Sequence, residues 1–169
     1  MAVAPSGAVV HSCDERSHRG AGPGRLQPRR WAGLAEAVLR DEGIRKGELG
    51  LRFVDPAAMA ELNMGYMGSP GPTDVLAFPI DGIDGAAGSV QVPEQAPLLG
   101  DVVVCPAYAA AQAPDHAGAG HDGSLGDELA LLVVHGVLHI LGYDHQSDAD
   151  AAAMQARERQ LLAAHYRRP

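Results

Sequence analysis

The sequence predicts a single domain in which α-helices and β-strands enclose one buried helix. Its 169 residues are the length of one domain, and a hydrophobic content of 46% is enough to build a sizeable core. Short apolar segments with strand patterns alternate with segments of helical spacing. The most apolar segment, residues 129–141, is hydrophobic on every side, which is typical of a helix at the centre of a fold.

The beginning of the chain divides into a flexible part and a first helix. The first 27 residues are rich in Gly, Ser, Pro and Arg, which predicts a flexible segment apart from a short strand at residues 8–12. We therefore expect the folded domain to occupy residues 28–169. Residues 29–42 carry apolar side chains at helical spacing and are followed by Gly43, which predicts an amphipathic helix.

The middle of the chain predicts three strands. Residues 49–54 alternate in polarity, and a short helix is expected to begin after them at Asp55-Pro56. Residues 73–79 end in proline, which indicates an edge strand or a strand stop. Residues 99–105 are continuously apolar at their centre, which indicates burial on both faces.

Two loops and two further helices complete the pattern. Residues 80–97, acidic and rich in Gly and Pro, predict a mobile surface loop. Residues 115–123 predict a second loop, with its two histidines, His116 and His121, in solvent. An alanine-rich helix is expected from residue 106. A final helix is expected over residues 148–165, with the charged side chains Arg157, Glu158 and Arg159 mostly exposed.

The distribution of charge excludes a generally basic nucleic-acid binder. The net charge is −8, and the chain contains no Lys or Arg between Arg52 and Arg157. A polyanion near the middle of the chain would meet only a metal, backbone amides or arginines brought in from the chain ends.

The compartment can be inferred from cysteines and hydropathy. Cys13 and Cys105 are isolated and show no C-x-x-C spacing, which argues for a reducing compartment and against cysteine zinc ligands. No apolar run approaches the roughly 20 residues of a membrane span, and the N-terminus shows no secretory signal pattern. We expect a cytoplasmic protein with no membrane partner.

Three histidines mark the candidate site. His135 and His139 are four residues apart in the apolar segment, so both rings leave one face of a helix. Gly142 can adopt the left-handed conformation that ends a helix and turns His145 back toward that face. A single histidine in an apolar helix is more often a hydrogen-bonded core residue. However, several buried imidazoles without partners cost about 1–3 kcal/mol each, which a metal offsets. Three ligands with a fourth position open to water are the pattern of catalytic zinc.

The same histidine spacing occurs in zinc proteases of the H-E-x-x-H-x-x-G-x-x-H type. Those enzymes need a glutamate after the first histidine as general base, whereas this chain has Gly136 there. The zincin-like spacing therefore predicts a metal site but argues against a peptidase.

Four segments in order resemble the YbeY family of bacterial metal-dependent endoribonucleases. The first is Leu62-Asn63 to Tyr66, the second runs from Pro72-Thr73-Asp74 to Pro79, and the third is Leu99-Gly100-Asp101. The fourth is the H-G-x-L-H-x-x-G-Y-D-H block that starts at His135. The resemblance extends from about residue 49 to the C-terminus, and the first 28 residues match poorly.

The resemblance implies an α+β fold with a mixed sheet of about four strands, packed with helices around the histidine helix. It also implies one Zn²⁺ per chain at His135, His139 and His145. Members of the family act on single-stranded ribosomal RNA, notably at the 3′ end of the small-subunit RNA, and in ribosome quality control. Their partners include the small ribosomal subunit and an Era-type GTPase.

Two positions depart from the family pattern. Met67 stands where the family has an arginine thought to assist with phosphate, and Ala77 replaces a usual serine. Either another arginine, such as Arg52 or one from the chain ends, fills that role, or activity is weaker than in arginine-bearing relatives.

The expected chemistry is metal-assisted hydrolysis of a phosphodiester. Zinc lowers the pKa of bound water toward about 7 and polarises a phosphoryl oxygen, so no glutamate base is required. Asp144 and Asp101 are candidates for orienting a ligand histidine, with turn or helix-end chemistry as the equal alternative. Thr73 and Asp74 are candidates for lining a substrate groove, and their alternative is the start of a strand.

Two other functions remain open on the sequence alone. One is a metal-dependent hydrolase of a substrate other than RNA, which only the family resemblance opposes. The other is a ribosome-assembly factor whose zinc is mainly structural, a reading favoured by Met67.

Overall fold

The computed structural model describes residues 7–17, 25–80 and 96–168. The expectations for residues 1–6 and 18–24, and most of the loop expected at residues 80–97, lie outside these ranges. The described elements follow in chain order: β1 (Val9–Asp14), α1 (Pro28–Asp41), β2 (Glu48–Phe53), α2 (Pro56–Met67), β3 (Val75–Pro79), β4 (Leu98–Val104), α3 (Pro106–Gln112), a 3₁₀ turn (Ala113–His116), α4 (Leu125–Ile140) and α5 (Asp148–His165). None of the described helices is long and apolar enough to cross a membrane.

The four strands form one mixed sheet in the order β1-β2-β4-β3. β1, β2 and β4 are parallel, and β3 runs antiparallel to β4 at the edge, as the proline at its end predicts. The expected mixed sheet of four strands is therefore confirmed. The short strand expected near the N-terminus is present as β1, paired along its length with β2. This strand joins the sheet although it precedes residue 28, where the folded domain was expected to begin.

Strand alternation sorts the side chains between the two faces of the sheet. Leu49, Leu51 and Phe53 of β2 are fully buried in the core that α1 and α4 share. Their register partners on β4 include Val102 and Val104, which lie on the same face. The intervening Val103 is also fully buried, in a second cluster on the opposite face with Met59 and Leu76. The predicted burial of β4 on both of its faces is confirmed.

Helix α4 packs closely against strand β4 of the sheet. Its N-cap is Ser124, whose hydroxyl accepts the N–H of Asp127. At Gly136 the helix approaches β4 so closely that an added Cβ would lie 2.5 Å from Cγ1 of Val102. The glycine that excludes a protease glutamate is thus also required for packing the helix on the sheet.

We expect Gly136→Ala to destabilise the protein by about 1–2 kcal/mol. Alanine favours a helix over glycine by about 0.5–1 kcal/mol, but overpacking a filled core costs about 1–3 kcal/mol. Val102 is fully buried and β-branched, so it cannot move aside cheaply. Thermal unfolding with a chelator present would measure the loss. Gly33→Ala is the matched control, since no atom lies within 4 Å of its added Cβ in α1, and it should raise stability.

In the loop before α4, His116 and His121 both contact an acidic side chain, although both were expected to lie in solvent. His116 Nδ1 lies 2.9 Å and His121 Nε2 lies 3.0 Å from Oε2 of Glu128, whose side chain is fully buried. The hydrogen bond to Glu128 raises the pKa of His116. The expectation was wrong for His121, whose side chain is 13% exposed, because Glu128 lies on the buried face of the first turn of α4. His116 is exposed as expected, although it pairs with the same carboxylate.

Candidate metal centre

The three predicted ligand histidines converge at the C-terminal end of α4. Nε2 of His139 lies 3.0 Å from Nε2 of His135. The ring of His139 is centred 4.5 Å from that of His135 and 5.0 Å from that of His145. One nitrogen from each ring can be chosen so that all three lie within 4.8 Å of one another. His139 therefore occupies the middle of the cluster.

The turn after α4 brings the third histidine back. Gly142 has a φ of +93°, and the N–H of Tyr143 donates to the carbonyl of Leu138, which closes the helix as the glycine predicts. The Tyr143 hydroxyl donates to Oε2 of Glu42 at the end of α1, 3.0 Å away. Arg157 of α5 donates to the other oxygen of Glu42 at 2.6 Å. The turn is thereby fixed to two neighbouring helices.

The donor set fits a tetrahedral metal ion. Ligand nitrogens at zinc bond lengths of about 2.0–2.1 Å lie about 3.3 Å apart, close to the separation between the Nε2 atoms of His135 and His139. Burial, followed by the charges of His135 and His145, lowers the pKa of His139, which favours the neutral form that binds metals. His135 and His139 are half-buried, whereas His145 is exposed, so the cluster is open to a substrate on one side.

Glu158 of α5 is a site residue that the sequence analysis missed. Its carboxylate is buried, with 7% of the residue exposed, and Oε1 lies 2.6 Å from Nδ1 of His135. This contact holds the imidazole with Nε2 directed at the other histidines, which is the usual arrangement behind a metal-binding histidine. The expectation of an exposed Glu158 was wrong. Met154 and Leu161 lie four residues before it and three after it, so helical spacing already placed Glu158 on the buried stripe.

Asp144 contacts the backbone of the site, and within the described residues its side chain makes no hydrogen bond to an imidazole. Its Oδ1 accepts the N–H of His145 at 2.7 Å. Of the two roles considered from the sequence, the structure shows the turn contact, which positions His145 through its main chain.

Asp101 and Arg52 lie on the wrong face of the sheet for the roles expected of them. Gly50 is the register partner of Asp101, and an added Cβ at Gly50 would meet the Asp101 carboxylate, so this side chain covers β2. Val102, the next residue, packs against α4, so Asp101 faces away from the histidines. Arg52 shares that opposite face and is paired with Glu15 at 2.8 Å. Neither residue is placed to orient a ligand or to contact a phosphate at the metal centre.

Thr73 and Asp74 make contacts typical of a strand start. The Thr73 hydroxyl donates to Oδ1 of Asp74, which also accepts the N–H of Val75 at 2.8 Å. A role in lining a substrate groove stays a prediction. Met67, at the family's arginine position, is 65% exposed at the end of α2, and Arg157 is committed to Glu42.

A second group of possible ligands, formed by His121, Asp122 and Asp127, lies at the other end of α4. The guanidinium of Arg168 already pairs with Asp127 at 2.6 Å, so the charge of this carboxylate is already compensated. The histidine cluster is therefore the better candidate.

Comparison with known proteins decides the family. The family model described as Endoribonuclease YbeY matches residues 25–166, which include all three histidines and Glu158. The chain belongs to the YbeY family. Its relatives named Endoribonuclease YbeY include one from Mycolicibacterium gilvum, 52% identical over 76% of this chain and 70% of the relative. Those from Mycolicibacterium smegmatis and Mycobacterium tuberculosis H37Rv are 53% and 51% identical over 68% of this chain and 62% of each relative.

A solved structure supports the fold independently. The solution structure of a Thermotoga maritima protein matches 93% of this chain and 90% of its own length with a TM-score of 0.54. The sequence identity is 21%, so this likeness bears on the fold alone. The matched lengths of the curated relatives, 60–70%, show that the chain spans about two thirds of each.

Proposed function

We propose that the protein is a metal-dependent endoribonuclease that cleaves single-stranded regions of ribosomal RNA during maturation of the small-subunit 3′ end. The observation that carries this proposal is the convergence of His135, His139 and His145 at a half-open site in a YbeY-family chain. The names of the relatives, Endoribonuclease YbeY, support RNA as the substrate.

Zinc is the proposed cofactor, one ion per chain. When bound, it would supply a water of lowered pKa and a positive charge next to the phosphoryl oxygen. His135, His139 and His145 would hold the ion, and Glu158 would keep Nδ1 of His135 protonated and its ring oriented. Gly136 offers no side chain as a general base. Nickel, cobalt and iron also suit three imidazoles, so the ion itself has to be measured.

The cellular setting of the proposal follows from its substrate. We place the protein in the cytoplasm, with the small ribosomal subunit and an Era-type GTPase as partners and a role in ribosome quality control. The alternative is an assembly factor with a mainly structural zinc. Met67 supports it, because an arginine is missing at that position and none of the described residues supplies a free arginine in contact with the histidines. Hydrolysis of a substrate other than RNA finds no support in the names of the relatives.

Metal removal tests the proposal directly. We expect the purified protein to carry about one zinc per chain by elemental analysis and to cleave a labelled single-stranded RNA. Chelation should abolish cleavage, and added zinc should restore it, because the three histidines are the ligands. Double-stranded RNA of the same sequence is the control substrate. Cleavage that persists in a chelator, from protein shown to be free of metal, would exclude the mechanism.

A further inference from the structure

Two aromatic rings meet where helix α2 ends beside edge strand β3. The rings of Tyr66, in the last turn of α2, and Phe78, in β3, are centred 4.8 Å apart with an angle of 58° between their planes. Phe78 is half-buried on the second apolar cluster, whereas Tyr66 is 70% exposed, more than any other large apolar side chain in the described residues. We call Tyr66 and Phe78 the aromatic pair.

The exposure of Tyr66 contrasts with the rest of its side of α2. Met59, Leu62 and Asn63 precede it by seven, four and three residues, so they share that side of the helix, and all three are buried or half-buried. Tyr66 continues this side past the end of the apolar cluster, where its ring contacts Phe78 and remains open to solvent. A ring that is supported on one side and open on the other can stack on a further planar group at little cost in conformational entropy.

The half-open histidine cluster lies over edge strand β3. Helix α4 packs on β3 and β4, whereas α1 packs on β1 and covers the side of α4 toward that strand. An added Cβ at Gly136 would lie 3.4 Å from Cγ2 of Val75 in β3. Around the helix, His135 and His139 lie on one side of Gly136, and the fully buried Val137 lies on the other. The open side of the cluster therefore faces the β3 edge.

Strand β3 ends beside the helical turn that carries His139. An added Cβ at Gly100 of β4 would meet both the carbonyl oxygen of Phe78 and Cδ1 of Ile140, the residue after His139. The Phe78 ring lies on the face of the sheet away from α4, with the second apolar cluster. A nucleotide chain that leaves the histidines and crosses the edge of β3 would therefore pass the aromatic pair.

The distribution of charge favours contact with bases over contact with phosphates. The chain has no Lys or Arg between Arg52 and Arg157, a range that includes the aromatic pair and all three histidines. Arg52 is paired with Glu15 at 2.8 Å, and Arg157 is paired with Glu42 at 2.6 Å. Residues in this range offer no cation to the phosphates of a bound strand, whereas stacking on an aromatic side chain requires no charge.

We propose that Tyr66 stacks on a base of the single-stranded RNA near the phosphate that is cleaved at the histidines, with Phe78 supporting the Tyr66 ring. This inference rests on the proposed function and names a residue that determines which RNA binds. A base must be unpaired and free of its neighbours to stack on a side chain, so the aromatic pair would select single-stranded over double-stranded RNA. Every base has a face that can stack, so the contact would be tolerant of sequence.

The test measures binding of the full-length protein to a fluorescently labelled single-stranded RNA, with a chelator present so that binding does not depend on the metal. Tyr66→Ala should raise Kd by about 5–100-fold, the range for the loss of one stacked base, and Tyr66→Leu should weaken binding nearly as much. Tyr66→Phe keeps the ring and should bind like the wild type. The slope of log Kd against log salt should be the same in all three variants, because no phosphate contact is lost.

Two controls separate stacking from general apolar or electrostatic attraction. Met64→Ala removes an exposed side chain two residues before Tyr66, on another side of α2, and should bind like the wild type. A strand of equal length and charge that lacks bases should bind the wild type and Tyr66→Ala equally. The melting temperature of Tyr66→Ala should be nearly unchanged, because the side chain is largely in solvent.

Equal RNA binding by Tyr66→Ala and the wild type would overturn the inference, and so would an effect of the same size on the strand without bases. Wild-type affinity in Tyr66→Leu, or equal weakening in Met64→Ala, would show a general apolar surface instead of stacking and would also overturn it. If RNA binding in chelator depends on Tyr66 but the wild type fails to cleave the RNA with metal, the proposed function is refuted and this inference stands. Metal-dependent cleavage with an unchanged KM in Tyr66→Ala would have the reverse meaning.

Discussion

Replacing His139 with alanine should abolish RNA cleavage and leave the fold intact. His139 is the middle member of the cluster, with its ring within 5.0 Å of both other rings. Loss of a group that only orients a ligand costs about 10–100-fold in metal affinity or activity, so loss of a ligand should reduce cleavage by more than about 100-fold. The fold should persist because the imidazole is only half-buried and belongs to no apolar cluster.

Three measurements separate the outcomes for this variant: metal content, cleavage of single-stranded RNA and binding to the small ribosomal subunit. His11→Ala is the control, since His11 is 64% exposed on β1 and contacts Glu48. If cleavage vanishes while ribosome binding survives, the assembly-only function fails. A folded, metal-free His139→Ala protein that still supports maturation of the ribosomal RNA 3′ end would disprove a catalytic role for the metal.

The parts of the fold that the sequence predicts well are those set by local spacing. The helices and all four strands lie within a few residues of their expected positions, and two of the ligands are one helical turn apart, with Gly142 turning the third toward them. The insertion of β4 between β2 and β3 could not be predicted in this way, because strand order depends on pairings between distant parts of the chain. The same limitation affected Asp101 and Arg52, whose face of the sheet is decided by register.

The surroundings of the histidines depend on contacts between helices. His135 and Glu158 are 23 residues apart and meet only because α5 packs on α4. Glu42 meets Tyr143 and Arg157 across still longer separations. Spacing in the sequence finds ligands that share one helix and its turn, whereas residues that orient them come from other helices. A charged residue on a buried stripe, as at Glu158, is the available signal.

Glu158 gives the second large expected effect, because a buried carboxylate in direct contact with a ligand can be altered in two steps. Glu158→Gln keeps an oxygen that can accept the N–H of His135 but removes the charge. Glu158→Ala removes the acceptor as well. We expect zinc affinity to fall by up to about tenfold in the first variant and by about 10–100-fold in the second. Titration with a competing chelator measures both. Glu61→Gln is the control, a neutralisation at an exposed position on α2.

A positioning role for Glu158 requires more than lower activity. Its loss should reduce kcat at limiting zinc, excess zinc should largely restore kcat, and KM for RNA should stay unchanged, because Glu158 is buried and contacts His135. A residue needed only for packing of α5 would instead lower the melting temperature of the metal-free protein by the same amount in both variants, with no graded effect on zinc affinity. Zinc binding as tight in Glu158→Ala as in the wild type would mean that His135 is held by the packing of α4 alone. The contact at 2.6 Å would then only provide a hydrogen-bond partner for a buried carboxylate.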